Sequence, residues 1–131
     1  VATGKRKKFR INGNNYSTKD GTPVRDFIHV SDLAEIHYLT AKYLITNNKS
    51  EIFNCGYGKG YSILEVVNKM NSISKKKIPI VFGKRRENDI EVSISCSKKF
   101  HKHIKWRPKY NSLKYILRTA YEWEKKLSYI K

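Results

Sequence analysis

Short apolar runs bounded by turn residues alternate along the chain with longer segments in which apolar residues recur at helical spacing. The short runs predict strands, because alternating or continuous apolar stretches of this length suit a buried or half-buried strand. They lie at residues 9–12, 24–30, 51–55, 78–82 and 92–94.

The longer segments predict helices with one apolar face. They begin at Ser31, Ser62, Ser97 and Ser112. Ser62 and Glu65 have the spacing of a capping box, in which the two side chains satisfy each other's backbone amides. We expect Ser97 to cap a short helix and Ala120 to face the interior in the last one. The order β-β-α-β-α-β-β-α-α, with the last strand weakly marked, predicts an α/β fold.

The length of 131 residues suits one domain or a piece of a larger one. No apolar run approaches the ~20 residues that a membrane span needs, and no signal peptide is visible. Two cysteines, Cys55 and Cys96, exclude a disulfide scaffold. We expect buried thiols and a reducing compartment, the cytoplasm. His101 and His103 are two apart and face different ways on a helix, so no metal site is expected.

The net charge of +17, from 28 basic and 11 acidic residues, suggests a nucleic-acid partner. However, Lys, Ile, Asn and Tyr, which have AT-rich codons, make up 54 of the 131 residues. Genome composition alone would raise the lysine count, and the basic residues are not gathered on one element. No zinc-finger or RNA-binding signature is present. Nucleic acid is therefore not the partner we expect.

Two motifs suggest a dinucleotide enzyme, and neither is complete. Gly56-x-Gly58-x-Gly60 lies between a strand and a helix, but a dinucleotide fingerprint needs its third glycine where Tyr61 stands. We interpret it as a tight turn before a capped helix. Tyr-x-x-x-Lys, the catalytic pair of short-chain dehydrogenases, begins at Tyr38, Tyr110 and Tyr121. Because chance alone predicts ~1.4 such matches, we assign catalysis to none of them.

Four longer segments carry a more specific resemblance. Residues 20–34 read D-G-T-P-V-R-D-F-I-H-V-S-D-L-A. This stretch resembles the D-G-T-x-V/I-R-D-Y/F-I-H-V-x-D-L-A of UDP-glucose 4-epimerases, which are extended short-chain dehydrogenases. Residues 53–67, 85–89 and 106–110 resemble the family's F-N-L-G-x-G-x-G-x-S-V-x-E-V, R-R-x-G-D and W-x-P-x-Y segments, in the same order. The resemblance extends to about residue 127.

The resemblance implies that residues 1–131 are the C-terminal, nucleotide-sugar-binding part of such an enzyme, comprising the end of a Rossmann sheet and a small α/β lobe. Residues 31–55 would pack with an N-terminal Rossmann domain that binds NAD and carries the catalytic tyrosine. The implied reaction interconverts UDP-glucose and UDP-galactose by oxidation and reduction at C4. The implied whole enzyme is a homodimer with a UDP-sugar substrate, and we expect this chain alone to be inactive.

The family's binding residues map onto seven positions. Arg25 and Arg86 match the arginines that grip the diphosphate, which suits a planar guanidinium. Asp89 matches the carboxylate that accepts from the ribose. The remaining matches are to positions near the uracil, the nucleotide and the sugar: Arg10 and Asn12, Ile63, and Ser93. Asp26 and His29 are interpreted as strand and loop support.

Three positions depart from the family pattern. Asn88 replaces a glycine, and asparagine is well tolerated at positive φ, so we expect the turn to survive. Cys55 replaces a leucine, which would loosen local packing. Ser93 is small at the position that gates sugar size, and this implies tolerance of N-acetylated UDP-sugars. Two alternatives stay open: an epimerase or dehydratase for another nucleotide sugar, and a basic nucleic-acid-binding module.

Overall fold

The structure, a computed structural model, describes residues 1–127. In chain order the elements are β1 (Phe9–Asn12), β2 (Val24–Asp26), α1 (Val30–Asn47), β3 (Gly60–Ser62), α2 (Ile63–Ser74), β4 (Ile80–Gly83), β5 (Val92–Ser93), α3 (Lys98–His103) and α4 (Leu113–Leu127). The predicted α/β fold class is confirmed.

The strands form two small sheets. β1 and β4 are parallel, with Phe9 opposite Ile80. The second sheet has the order β3-β2-β5, in which β2 is antiparallel to β3 and parallel to β5. The loop from β4 to β5 joins the two sheets, so residues on this loop lie between them.

Side-chain caps set the starts of the first two helices. The capping box is confirmed: Ser62 Oγ accepts from the amide of Glu65 at 3.0 Å, and the Glu65 carboxylate accepts from the amide of Ser62 at 2.7 Å. α1 begins at Val30 rather than at Ser31. Its cap is His29, whose Nδ1 accepts from the Ser31 amide at 3.1 Å. The strand predicted over residues 24–30 is correspondingly short and ends at Asp26.

The strand predicted at residues 51–55 is wrong. This segment has no strand partner within residues 1–127. Two of its apolar side chains pack instead, since Phe53 and Cys55 lie against a core cluster on α1, α3 and the segment after α3, whereas Ile52 is exposed. That cluster consists of Ile36, Phe100, Ile104 and Trp106.

Three smaller expectations are also wrong. Ser97 makes no cap hydrogen bond, because its hydroxyl donates to the Gly56 carbonyl at 2.8 Å. Cys96 is exposed rather than buried, whereas Cys55 is half-buried and its pKa is raised by that burial. Ala120 is exposed on α4, whose buried side chains are Leu113 and Leu117.

A buried carboxylate fixes α1 to two loops. Asp32 is fully buried and accepts from the Tyr57 hydroxyl at 2.5 Å and from the amide of Tyr110 at 3.0 Å. The amide of Lys109 donates to both Asp32 oxygens at 3.2 Å. Burial, and next the Asp32 hydrogen bond, raise the pKa of Tyr57, so its phenol stays protonated as a donor.

None of the helices within residues 1–127 is long and apolar enough to cross a membrane.

Candidate functional site

An ion pair joins the second sheet to the loop between the sheets. Nη2 of Arg25, on β2, donates to Oδ1 of Asp89 at 2.7 Å, and both side chains are about three-quarters buried, with 27% and 21% exposed. Nη1 of Arg25 donates to the Val24 carbonyl at 2.8 Å. The guanidinium is thus held in place by these two bonds, and burial strengthens its field relative to a surface charge.

A second arginine, Arg86 on the loop between the sheets, reaches β1. With the Asn12 amide oriented as its hydrogen-bonding neighbours require, its oxygen accepts from Nε and Nη2 of Arg86 at 3.0 and 3.1 Å. The loop turns back between Arg86 and Asp89, whose amide donates to the Arg86 carbonyl at 3.3 Å. Asn88 has a φ of 58°, so the turn does adopt the left-handed conformation expected at the glycine position of the motif.

Tyr16 completes this cluster, and the sequence analysis did not predict it. Its ring is buried, and its hydroxyl lies 2.9 Å from Oδ2 of Asp89 and 3.1 Å from the Asn12 carbonyl. The Arg85 guanidinium lies over the ring, 4.1 Å from its centroid. The available signal was a single aromatic residue between two turn segments, since such a residue in a polar loop needs something to pack against.

Charge in this cluster favours an anionic ligand. The Tyr16 hydrogen bond, together with the charges of Arg25 and Arg86, holds the pKa of Asp89 below its usual range. Asp89 is therefore ionised at neutral pH. Arg85 is paired with Glu91 at 3.3 Å. Arg86 has a neutral partner in Asn12, so one full positive charge within the cluster is left for a ligand.

Arg10 and Ile63 have other contacts. The Arg10 guanidinium covers Gly83, its diagonal neighbour across the β1–β4 pair, closely enough that a side chain there would overlap it. Ile63 is the first residue of α2, and its amide donates to the Pro23 carbonyl at 3.1 Å. The structure thus brings Asn12, Arg25, Arg86 and Asp89 together and leaves these two outside their hydrogen-bond network.

Ser93 lies beside Arg25 on the next strand. The two residues are paired in register on parallel strands, so their side chains emerge on the same face of the sheet. Both line a cavity of about 530 Å³ that also includes Asp26, Cys55 and Cys96. The small Ser93 side chain leaves this cavity open next to the arginine.

The glycine turn at residues 56–60 is occupied by the protein's own carboxylate. Asp26 accepts from the amides of Tyr57, Gly58 and Ser95 at 3.4, 3.0 and 3.3 Å. These amides are therefore not available to a dinucleotide phosphate. The interpretation of this segment as a turn before a capped helix is confirmed, and so is the structural support assigned to Asp26.

The three tyrosine and lysine pairs found in the sequence lie in different surroundings. Tyr110 precedes α4 and so does not share a helix with Lys114. Tyr38 is exposed on α1. Tyr121 on α4 has Lys125 over its ring at 5.7 Å.

Comparison with known proteins gives a consistent result. Residues 2–56 match the model of the NAD dependent epimerase/dehydratase family. Over 123 residues the chain is 42% identical to a UDP-glucose 4-epimerase of Lacticaseibacillus casei, covering 94% of this chain and 37% of that protein. The chain is therefore related to the UDP-glucose 4-epimerases. It spans a little more than a third of the length of the epimerases that it matches.

Two solved epimerase structures agree with this relationship. The UDP-Glc/GlcNAc 4-epimerase of Campylobacter jejuni superposes with a TM-score of 0.83 at 42% identity, covering 95% of this chain and 38% of that one. A UDP-glucose 4-epimerase of Stenotrophomonas maltophila, with bound NAD and formylated UDP-arabinopyranose, gives a TM-score of 0.90 at 30% identity. That match covers 99% of this chain and 38% of the other.

Proposed function

We propose that this chain binds the UDP group of a nucleotide sugar and is the nucleotide-sugar-binding part of a UDP-hexose 4-epimerase. The observation that carries the proposal is the cluster of Arg25, Arg86, Asp89 and Asn12, in which residues far apart in sequence lie in one hydrogen-bonded network. A solved relative with bound formylated UDP-arabinopyranose supports the choice of ligand.

The chemistry of the cluster suits a nucleoside diphosphate. Arginine guanidinium groups bind phosphate oxygens through paired, charge-assisted hydrogen bonds. An ionised Asp89 accepts from ribose hydroxyls. Arg10 and Asn12 on β1 would flank the base, and Ile63 would supply an apolar contact. Because this binding does not change during the reaction, it would anchor the substrate while the sugar turns.

The sugar would occupy the cavity lined by Arg25 and Ser93. We propose that a small residue at Ser93 leaves room for an N-acetyl group, so that the enzyme would accept UDP-N-acetylhexoses as well as UDP-glucose and UDP-galactose. The Campylobacter jejuni relative, described as a UDP-Glc/GlcNAc epimerase, supports this choice.

NAD and the catalytic tyrosine would be held outside this chain. The amides of the glycine turn are bonded to Asp26, so the residues present do not fit a dinucleotide phosphate. We propose that residues 1–131 form the C-terminal part of the enzyme and that residues 31–55 pack against its NAD-binding domain. The apolar Ile45 and Ile52, 81% and 86% exposed, support such packing. The complete enzyme would be a cytoplasmic homodimer, and we expect this chain alone to show no turnover.

Isothermal titration of the purified chain with UDP tests the proposal. We expect saturable binding that weakens about tenfold or more in Arg25→Ala and in Arg86→Ala, because each substitution removes charged hydrogen bonds worth ~1.5–3 kcal/mol. Arg107→Ala, at an exposed arginine after α3, should bind UDP like the unmodified chain.

Arg25→Ala also removes the partner of Asp89, so a loss of folding must be separated from a loss of contact. Arg25→Lys keeps the charge and should lose most of the affinity while retaining the circular dichroism spectrum, because an ammonium group cannot replace a bidentate guanidinium. Absence of UDP binding to the folded chain, or equal binding by all arginine variants, would refute the proposed function.

A further inference from the structure

The hydroxyl of Tyr16 is placed to orient the Asp89 carboxylate. Tyr16 lies on the loop after β1 and is only 4% exposed, yet its phenol reaches a carboxylate 73 residues later in the chain. Oδ1 of Asp89 is bonded to Arg25, and Oδ2 faces Tyr16 at 2.9 Å. The carboxylate is therefore held at both oxygens, by residues from two different parts of the fold.

We infer that Tyr16 is a positioning residue of the nucleotide site, with Arg85 as the cover of its ring. The inference rests on the proposed function, since it assigns Asp89 to a ligand. A phenol has one proton, and a charged carboxylate is a stronger acceptor than the Asn12 carbonyl that lies 3.1 Å away. The proton therefore favours Asp89 and fixes the plane of its carboxylate.

The residues around the Tyr16 ring restrict its position. Gly13 has a φ of 92°, and a Cβ atom there would lie 2.6 Å from Cε2 of Tyr16 and 3.1 Å from Cβ of Arg85. Only glycine leaves room for the ring at this point. The Arg85 guanidinium covers the ring, 4.1 Å from its centroid.

Arg85 and its neighbour Arg86 have different bonding partners. Nη1 of Arg85 is bonded to Glu91 at 3.3 Å and Nη2 to the Asp89 carbonyl at 3.1 Å. These bonds and the ring contact join the Arg85 guanidinium to other residues of the chain. Arg86, bonded to the neutral Asn12 amide, is the arginine of this pair that we assign to the ligand.

Tyr16→Phe separates positioning from packing, because it keeps the ring and removes only the hydroxyl. The first readout is the pKa of Asp89. It is measured by ¹³C NMR of the Asp89 carboxyl group in the chain without added ligand. We expect a higher titration midpoint in Tyr16→Phe, because a hydrogen bond to the ionised carboxylate is lost. Tyr38→Phe, at an exposed tyrosine of α1, should leave the midpoint unchanged.

The second readout is affinity. We expect Tyr16→Phe to bind UDP and uridine roughly 3- to 10-fold more weakly, the effect of one hydrogen bond, with little change for inorganic pyrophosphate. Arg85→Leu, which keeps an apolar cover on the ring, should change UDP affinity less than about threefold, whereas Arg86→Leu should weaken it about tenfold or more. Comparison of Arg85→Leu with Arg86→Leu tests the assignment of Arg86 to the ligand even where Tyr16→Phe folds poorly.

An unchanged Asp89 midpoint in folded Tyr16→Phe would refute the positioning role, as would equal losses of UDP affinity in Arg85→Leu and Arg86→Leu. If the unmodified chain binds no UDP, the proposed function fails. The carboxyl titration then still decides whether Tyr16 orients Asp89, so the two failures are distinguishable.

Discussion

Arg25 and Asp89, assigned by resemblance to the diphosphate and the ribose of one ligand, are bonded to each other at 2.7 Å. The pair links β2 to the loop between the sheets. Because both side chains are largely withdrawn from water, each limits the rotamers of the other. The Arg25 guanidinium is consequently oriented by Asp89, and under the proposed function a phosphate would have to share or replace one of its edges.

Asp32→Asn should destabilise the fold by about 2–4 kcal/mol, because the new amide group would face backbone donors that now bond a buried carboxylate. Those donors are the amides of Lys109 and Tyr110. Urea unfolding followed by circular dichroism measures the loss. Glu35→Gln on the same helix, whose exposed partner is the Lys109 ammonium, should cost less than about 1 kcal/mol. Equal costs for the two variants would contradict a structural role for Asp32.

Gly21→Ala tests the turn that leads into β2. Gly21 has a φ of 74°, and an added Cβ would overlap the carbonyl oxygen of Asn14. Gly4 is the matched control, with a φ of 87° and nothing within 4 Å of an added Cβ. We expect Gly4→Ala to cost about 1–2 kcal/mol from backbone conformation, and Gly21→Ala at least about 2 kcal/mol more from overlap. Equal unfolding midpoints in urea would show that the loop relaxes freely.

Acid should weaken the fold partly through Glu51. Hydrogen bonds from Lys99 and then from Lys49 hold the pKa of Glu51 at about 2, against an ordinary value of 4.5. Because the folded pKa is lowered, the contribution of Glu51 is complete above pH 4.5 and is lost as the pH falls toward 2. Glu51→Gln should therefore flatten the dependence of the urea midpoint on pH in this window. Glu122→Gln on α4 should keep the original slope. If the urea midpoint of Glu51→Gln falls with pH as steeply as that of the unmodified chain, the ion pairs do not contribute as we expect.

Ser93→Tyr should restrict the sugar that the chain binds. A phenol at this position would fill the cavity beside Arg25, and a bulky group there excludes an N-acetyl substituent more than a hydroxyl. We expect the unmodified chain and Ser93→Ala to bind UDP-glucose and UDP-N-acetylglucosamine similarly, and Ser93→Tyr to lose about tenfold or more for the second sugar. Competition binding measures the ratio, and an unchanged ratio in Ser93→Tyr would disprove the gating role.

The sequence predicted correctly those features that are marked by a short motif. The capping box at Ser62 follows from neighbouring residues and was confirmed. The turn at Asn88, which was expected from the family motif, was also confirmed. Residues 51–55 were assigned wrongly, because an apolar run specifies burial but does not say whether a partner strand lies alongside. The start of α1 was predicted at Ser31, one residue late, because His29 is not a usual capping residue.

The residues of the candidate site were likewise predicted only in part. Arg25, Arg86 and Asp89 were predicted through a motif, and the structure brings them together. Tyr16 was missed, since its role depends on a partner 73 residues away and no spacing rule connects the two. Cys96 was expected to be buried from residue type alone, whereas exposure depends on which side of the loop faces solvent.

A crystal structure of this chain grown with UDP tests the central claim most directly. We predict diphosphate oxygens within about 3 Å of the Arg25 and Arg86 guanidinium groups, and ribose hydroxyls on Asp89. A second basic cavity of about 700 Å³, lined by Lys59, Lys69 and Lys114, lies between α2 and α4 and offers the competing location. UDP in that cavity, with Arg25 and Arg86 free of phosphate, would contradict the assignment of the site.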